Sequence, residues 1–127
     1  MTNTVELKTR KERSPFATEY KFALCINNTP VAYLKLLVKE EFNGMASLCT
    51  IETRPGYQGK GYATELIAKA EEATNLTIGT TGGFTPEGFN AFNNKLPRIG
   101  NNPKPTAPTF ESMTFINNWD TEFTYYQ

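Results

Sequence analysis

The fold of this chain is decided by a short glycine-rich stretch that separates two regions of different hydrophobic period. The stretch is Thr53-Arg54-Pro55-Gly56-Tyr57-Gln58-Gly59-Lys60-Gly61-Tyr62-Ala63-Thr64. Before it, apolar residues follow the pattern of β-strands, and after it they recur at helical spacing. Small residues at a strand-to-helix junction expose consecutive backbone N–H groups, and the helix dipole adds positive potential there. The sequence therefore predicts an anion site suited to phosphates.

Three strand-like segments precede this stretch. Residues 20–26 are rich in aromatic and branched side chains, and the polar run 27–30 breaks the pattern. Residues 31–39 are almost continuously apolar, so we expect both faces of that strand to be covered. Asn43-Gly44 is a hairpin turn signal before the third strand, Met45–Thr53. Such short connections predict an antiparallel meander.

The period changes to that of a helix after the glycines. A stripe of apolar residues at helical spacing predicts an amphipathic helix that ends near Asn75: Ala63, Leu66, Ile67, Ala70 and Ala73. Residues 76–78 predict a short strand, which a helical crossover would place parallel to the third strand. A second helix is expected over residues 85–95, a loop over 101–108, and one or two closing strands in the aromatic tail 110–126.

The amino-acid composition excludes several classes of catalytic, metal and nucleic-acid site. The 127 residues contain 13 Lys plus Arg and 13 Asp plus Glu, so no overall field recruits nucleic acid. The absence of histidine excludes Ser-His and Cys-His nucleophile pairs and histidine-ligated metals. Two cysteines, Cys25 and Cys49, cannot assemble an ordinary zinc site alone. Both lie in strand-like stretches, so we expect reduced core residues and no metal.

The chain is the length of a single domain, 1–127, with residues 1–15 as a peripheral arm. The basic run in that arm favours a solvated segment over contact with an acidic partner. No apolar run is long enough to cross a bilayer, and the first residues do not resemble a signal sequence. These features predict a cytoplasmic protein without membrane association.

Two common phosphate loops do not fit the glycine-rich stretch. A Walker-type loop needs Ser or Thr after Gly-Lys, and here Gly61 follows Lys60. The dinucleotide fingerprint needs a glycine where Thr64 stands, and a parallel rather than an antiparallel context.

A third pattern matches. The spacing Gln58-x-x-Gly61-x-Ala63, after a meander and at the start of an amphipathic helix, resembles the acyl-CoA pyrophosphate signature of GCN5-related N-acetyltransferases (GNATs). The likeness is strongest over residues 51–67 and extends from about Tyr20 to Phe92. It implies an α+β fold in which a mostly antiparallel sheet, a meander followed by a splayed parallel strand, is flanked by a few helices.

The resemblance also implies a cofactor site. Acetyl-CoA would insert into the splay, and the main chain near Ile51 and Thr53 would pair with the pantetheine amides. Backbone N–H groups over residues 58–64 would hold the pyrophosphate, with Arg54 or Lys60 adding charge. The cofactor-binding residues implied are Ile51, Thr53, Arg54, Gln58, Gly59, Lys60, Gly61, Tyr62, Ala63 and Thr64.

The catalytic residues that the resemblance implies are only partly matched. Family members often carry a proton-donating tyrosine where Phe92 stands, and some carry a basic glutamate where Ser47 stands. Glu52 and Tyr57 are the substitutes nearest in sequence. Tyr57 is also placed to pack under the loop, and Glu52 is catalytic only if it faces the acceptor.

The acceptor implied is an amine of a protein or a small molecule. Family members usually have two helices before the meander, and this chain has no room for them, which predicts an open face suited to a protein or peptide amine. A homodimer partner that supplies the missing wall is the alternative. A non-catalytic interaction module that retains CoA is the competing function, and nucleic-acid binding is the weakest reading of the residues.

Overall fold

The structure is a computed structural model that describes residues 3–80, 96–97, 99 and 116–127. The described part contains five strands and two helices: β1 (Val5–Arg13), β2 (Thr18–Ile26), β3 (Thr29–Val38), β4 (Met45–Thr53), α1 (Tyr62–Thr74), β5 (Thr77–Gly79) and α2 (Trp119–Glu122). A single 3-10 turn, Glu40–Phe42, precedes β4. The strands lie side by side in chain order, antiparallel from β1 to β4 and parallel between β4 and β5. The predicted α+β fold with a mixed, mostly antiparallel sheet is confirmed.

The first residues form an edge strand, so the predicted peripheral arm over residues 1–15 is wrong. β1 pairs with β2 from Val5 opposite Ile26 to Arg13 opposite Thr18. The two strands are joined by a tight turn in which the Ser14 N–H donates to the Ala17 carbonyl at 2.9 Å. An edge strand is commonly rich in charge, because charge discourages pairing with other chains. Because β1 is rich in charged residues, it lacks the regular alternation of apolar residues by which a strand is predicted from sequence.

The short connection predicted between β2 and β3 is confirmed: Asn27 and Asn28 have φ of 51° and 68°, and Ile26 pairs with Thr29. Positive φ at both central residues is what a tight two-residue hairpin requires. Asn43 and Gly44 have φ of 53° and 82° and form a turn before β4, but the tight hairpin predicted there is wrong. Asn43 ends the 3-10 turn Glu40–Phe42, and the β3–β4 pairing begins only at Leu37 opposite Ser47, so this connection is longer.

One face of the sheet, the front face, is covered by α1. The helix buries Leu66, Ile67 and Ala70 against sheet residues that include Phe22 and Leu34. The predicted stripe is therefore confirmed except at its last position, Ala73, which is exposed. The helix ends at Asn75, whose φ is 56° and whose N–H donates to the Glu71 carbonyl at 2.8 Å, as predicted.

The opposite face, the back face, is crossed by residues 116–127, the C-terminal segment. Trp119 and Phe123 are buried there against Ala23, with Tyr33 beside them. Because these aromatics pack through a short helix, the closing strands predicted in the tail are wrong for residues 116–126. The predicted helix 85–95, which includes Phe92, the loop 101–108 and residues 110–115 lie outside the described residues.

The two cysteines differ in burial. Cys25 is buried, as predicted, but Cys49 is exposed, so its assignment to the core is wrong. Lys35 pairs with Thr50 and Leu36 with Leu48, which leaves Cys49 as the extra residue of a β-bulge. A bulge breaks the alternation of side chains along a strand, and the sequence gives no sign of its position.

Candidate functional site

Among the described residues, β5 pairs with only the first part of β4. The two strands pair only over Met45–Ser47 of β4. Directly after β5, the Thr80 N–H donates to the Pro97 carbonyl at 2.9 Å, and the Ile99 N–H donates to the Thr80 carbonyl at 3.1 Å. Within the described ranges, β4 therefore has no strand beside its outer edge from residue 48 to residue 53.

Some N–H and C=O groups of β4 point away from β3, toward the edge that no described strand covers. The Arg54 N–H donates to the Val31 carbonyl of the β3 side at 2.8 Å. Because successive residues of a strand direct their main-chain groups to opposite edges, those of Thr53 and Ile51 face away from β3. These are the two residues predicted to pair with an extended ligand, and the structure brings their amides and carbonyls to the open edge.

The glycine-rich loop that follows β4 has a backbone that only glycine adopts easily. Gly56, Gly59 and Gly61 have φ of 92°, 78° and 81°. A Cβ atom added at any of the three would meet no other atom within 4 Å. The loop surface is thus open above each glycine, and a ligand can approach the main chain closely there.

The loop ends at the first turn of α1. Gly61 is the N-cap residue and makes no side-chain capping bond, while the Glu65 N–H donates to the Gly61 carbonyl at 3.0 Å. The N–H groups of Tyr62, Ala63 and Thr64 precede the first intrahelical bond and have no acceptor within the helix. Together with the helix dipole, they favour an anion at this end.

Two cations and two tyrosines surround the loop. Tyr57 packs against the core, its ring centroid 6.4 Å from that of Tyr62. The Lys60 ammonium lies 5.9 Å from the Tyr57 ring, and the Arg54 guanidinium lies 6.0 Å from it. Lys60 and Gln58 are exposed. Arg54 is partly buried and is already engaged, because it forms an ion pair with Asp120 at 2.9 Å.

Glu52 lies on the back face, opposite Tyr33 in the sheet register. Its Oε2 accepts a hydrogen bond from the Ile116 N–H at 3.2 Å. Burial raises the pKa of Glu52, and the hydrogen bond from Ile116 opposes that rise. A carboxyl with a raised pKa is a stronger proton acceptor than an ordinary one. Tyr57 packs with the front-face core, so the structure does not bring the two candidate catalytic residues together.

Ile116 and Asp120 were not predicted from the sequence as site residues. Both belong to the C-terminal segment and reach the end of β4 from more than sixty positions away in the chain. The aromatic tail signalled that this segment packs somewhere, but no local pattern indicated its partners.

Among the described residues, no three His, Cys, Asp or Glu side chains are grouped so that they would hold a metal ion. The helices in the same residues are too short or too polar to span a bilayer.

Comparison with known proteins supports the identification. No curated protein and no solved structure matches the chain. The model of the acetyltransferase (GNAT) family matches residues 3–79, which is more than half of the chain and includes the whole sheet and α1. The matched residues include β4, the glycine-rich loop and α1. The chain therefore belongs to the acetyltransferase (GNAT) family.

Proposed function

We propose that this protein transfers an acetyl group from acetyl-CoA directly to an amine. The observation that supports this most is the open glycine-rich loop at the N-terminus of α1, beside an edge of β4 that no described strand covers beyond Ser47. Family membership supports acetyltransferase activity in general. The loop and the edge add the choice of donor, because they suit a ligand with a diphosphate and an extended amide-bearing arm.

The residues present fit such a ligand. Amides of Gln58, Gly59, Lys60 and Gly61, followed by those of the first turn of α1, hold the diphosphate, and the absence of a Cβ at the glycines leaves room for it. Lys60 forms no ion pair with any residue that the structure describes, whereas Arg54 is paired with Asp120. The outward main chain of Ile51 and Thr53 holds the arm.

Acetyl-CoA supplies an activated thioester when bound. The chain must then position the amine and take its proton. Glu52 is the residue we assign to the proton, because its carboxyl lies at the end of β4 and burial moves its pKa toward neutrality. Tyr57, which packs under the loop, supports the backbone that binds the diphosphate.

We assign a protein or peptide amine as the acceptor. The direct turn from β1 to β2 leaves no helix between them to wall off the back face. Only the C-terminal segment crosses that face among the described residues. A face that the described residues cover only in part suits a segment of polypeptide better than an enclosed metabolite.

A second function also has an observation in its favour. The Ile116 N–H already occupies one oxygen of Glu52. A module that binds CoA without turnover would keep that contact permanently, whereas an enzyme of this kind must free the carboxyl or use its other oxygen.

Free-thiol release from acetyl-CoA, measured with and without acceptors, distinguishes the two functions. We expect release that depends on a lysine-containing peptide, together with a gain of one acetyl group in the intact mass of the peptide. Binding of CoA without thiol release would support the non-catalytic module. Acetylation of a small polyamine alone would contradict the peptide acceptor, and no binding of CoA would contradict both functions.

A further inference from the structure

The end of β4 is tied to the C-terminal segment at two neighbouring points. Glu52 accepts a hydrogen bond from the Ile116 N–H at 3.2 Å, and Arg54 forms its ion pair with Asp120 at 2.9 Å. Glu52 and Arg54 are two positions apart on one strand end, and Ile116 and Asp120 are four apart on the C-terminal segment. The two contacts therefore form one attachment, which joins the proposed proton acceptor to the first residue of the glycine-rich loop.

Arg54 has one anionic partner among the described residues, Asp120, and its guanidinium also donates to the Pro30 carbonyl at 3.4 Å. Its guanidinium lies against the ring of Tyr57, the same ring that the Lys60 ammonium approaches on the loop. Asp120 holds the guanidinium with a side chain that is 71% exposed, so water competes strongly for that carboxylate. A diphosphate at the loop carries more charge than one carboxylate and can accept both N–H groups of the guanidinium fork.

We propose that Arg54 exchanges Asp120 for the diphosphate when the donor binds, and that this exchange loosens the C-terminal segment at Glu52. The inference rests on the proposed function, since it takes acetyl-CoA as the donor. It makes the segment a strap that covers the proton acceptor until the donor is in place. Trp119 and Phe123 remain buried against the sheet, so the strap opens at its Ile116 end and stays anchored beyond it.

The exchange has a cost that can be measured. Binding of the donor must break an exposed ion pair, and such pairs are worth ~0.2–1 kcal/mol. Removal of the Asp120 charge should therefore tighten CoA binding by at most about five-fold, since 1.4 kcal/mol corresponds to a factor of ten. If Asp120 instead held Arg54 in place for the phosphates, the same change would weaken binding.

Calorimetric titration of the full chain with CoA tests this with the variants Asp120→Asn and Glu122→Gln. Glu122 is the matched control, because it is an exposed acid on the same short helix with no ion pair among the described contacts. We expect a gain of up to about five-fold for D120N, no change for E122Q, and loss of the gain when Arg54→Gln is added to D120N.

Hydrogen exchange at the Ile116 amide supplies the second readout. We expect exchange in the parent protein to accelerate on addition of CoA, and exchange in D120N to be fast without CoA. Equal or weaker CoA binding by D120N, or an Ile116 amide that stays protected when CoA is added, would contradict the exchange of partners at Arg54. Neither result would contradict the proposed CoA site. No CoA binding by any variant would overturn the proposed function and the strap with it.

Discussion

The geometry of the glycine-rich loop predicts how Gly61→Ala would change stability and CoA binding. In the folded chain Gly61 has φ of 81°, and an added Cβ would meet no atom within 4 Å. The substitution therefore introduces no clash, and its effect on stability comes only from placing a side chain in the left-handed region. The methyl group would stand in the open space that a diphosphate needs. We expect a folded protein whose affinity for CoA is much reduced.

The expected size follows from these two facts. The left-handed conformation costs an L-residue about 1–2 kcal/mol, which corresponds to a fall in Tm of about 4–8 °C for a domain of this length. The methyl group would keep the diphosphate from reaching the loop amides. We therefore expect CoA binding to weaken by roughly tenfold or more, which corresponds to a loss of about 1.4 kcal/mol or more of binding free energy. Thermal unfolding and calorimetric titration measure the two effects on the same sample.

Gly44→Ala is the matched control. Gly44 has φ of 82° and equally open surroundings, but it lies in the turn before β4, away from the glycine-rich loop. We expect the same fall in Tm as for G61A and an unchanged CoA affinity. If the two variants bound CoA equally well, the loop would not be the diphosphate site.

Three further outcomes are expected. Gly79→Ala should destabilise the fold by about 1–3 kcal/mol in denaturant titrations, because its Cβ would come within 2.8 Å of the Pro97 carbonyl; a neutral result would contradict the packing at the end of β5. Glu52→Gln should keep the fold, since the amide oxygen still accepts the Ile116 N–H, and should slow acetyl transfer at pH 7 by about 100-fold or more; full activity would exclude Glu52 as the base. The Lys35 contact lowers the pKa of Glu19, so the pair stabilises the fold above the ordinary glutamate pKa and the effect is lost as pH falls through the lowered value. Glu19→Gln should then cost at most about 1 kcal/mol at pH 7, since Lys35 is 38% exposed, and nothing in strong acid, and a cost that persists in acid would contradict this assignment.

Local chemistry made much of the fold predictable. The turn at Asn43-Gly44 and the stop at Asn75 need positive φ, which asparagine and glycine tolerate, so the residue types mark the positions. The stripe centred on Leu66 and Ile67 reports burial directly, because a helix presents one face to the sheet.

What escaped prediction depends on long-range contacts. The charges of β1 are typical of a solvated arm as much as of an edge strand, and only pairing with β2 distinguishes the two. The bulge at Cys49 is a property of register between two strands, which single-strand patterns do not encode. Asp120 looks like any exposed acid until the fold places it beside Arg54.

Chemical-shift mapping of the backbone amides during a CoA titration examines the donor site without any substitution. At 14.3 kDa the chain suits this measurement. The proposed site requires the largest shifts at the amides of residues 58–64, with smaller ones at Ile51 and Thr53 on the open edge of β4. Saturable shifts confined to other residues, or none at millimolar CoA, would contradict the binding of a diphosphate by this loop.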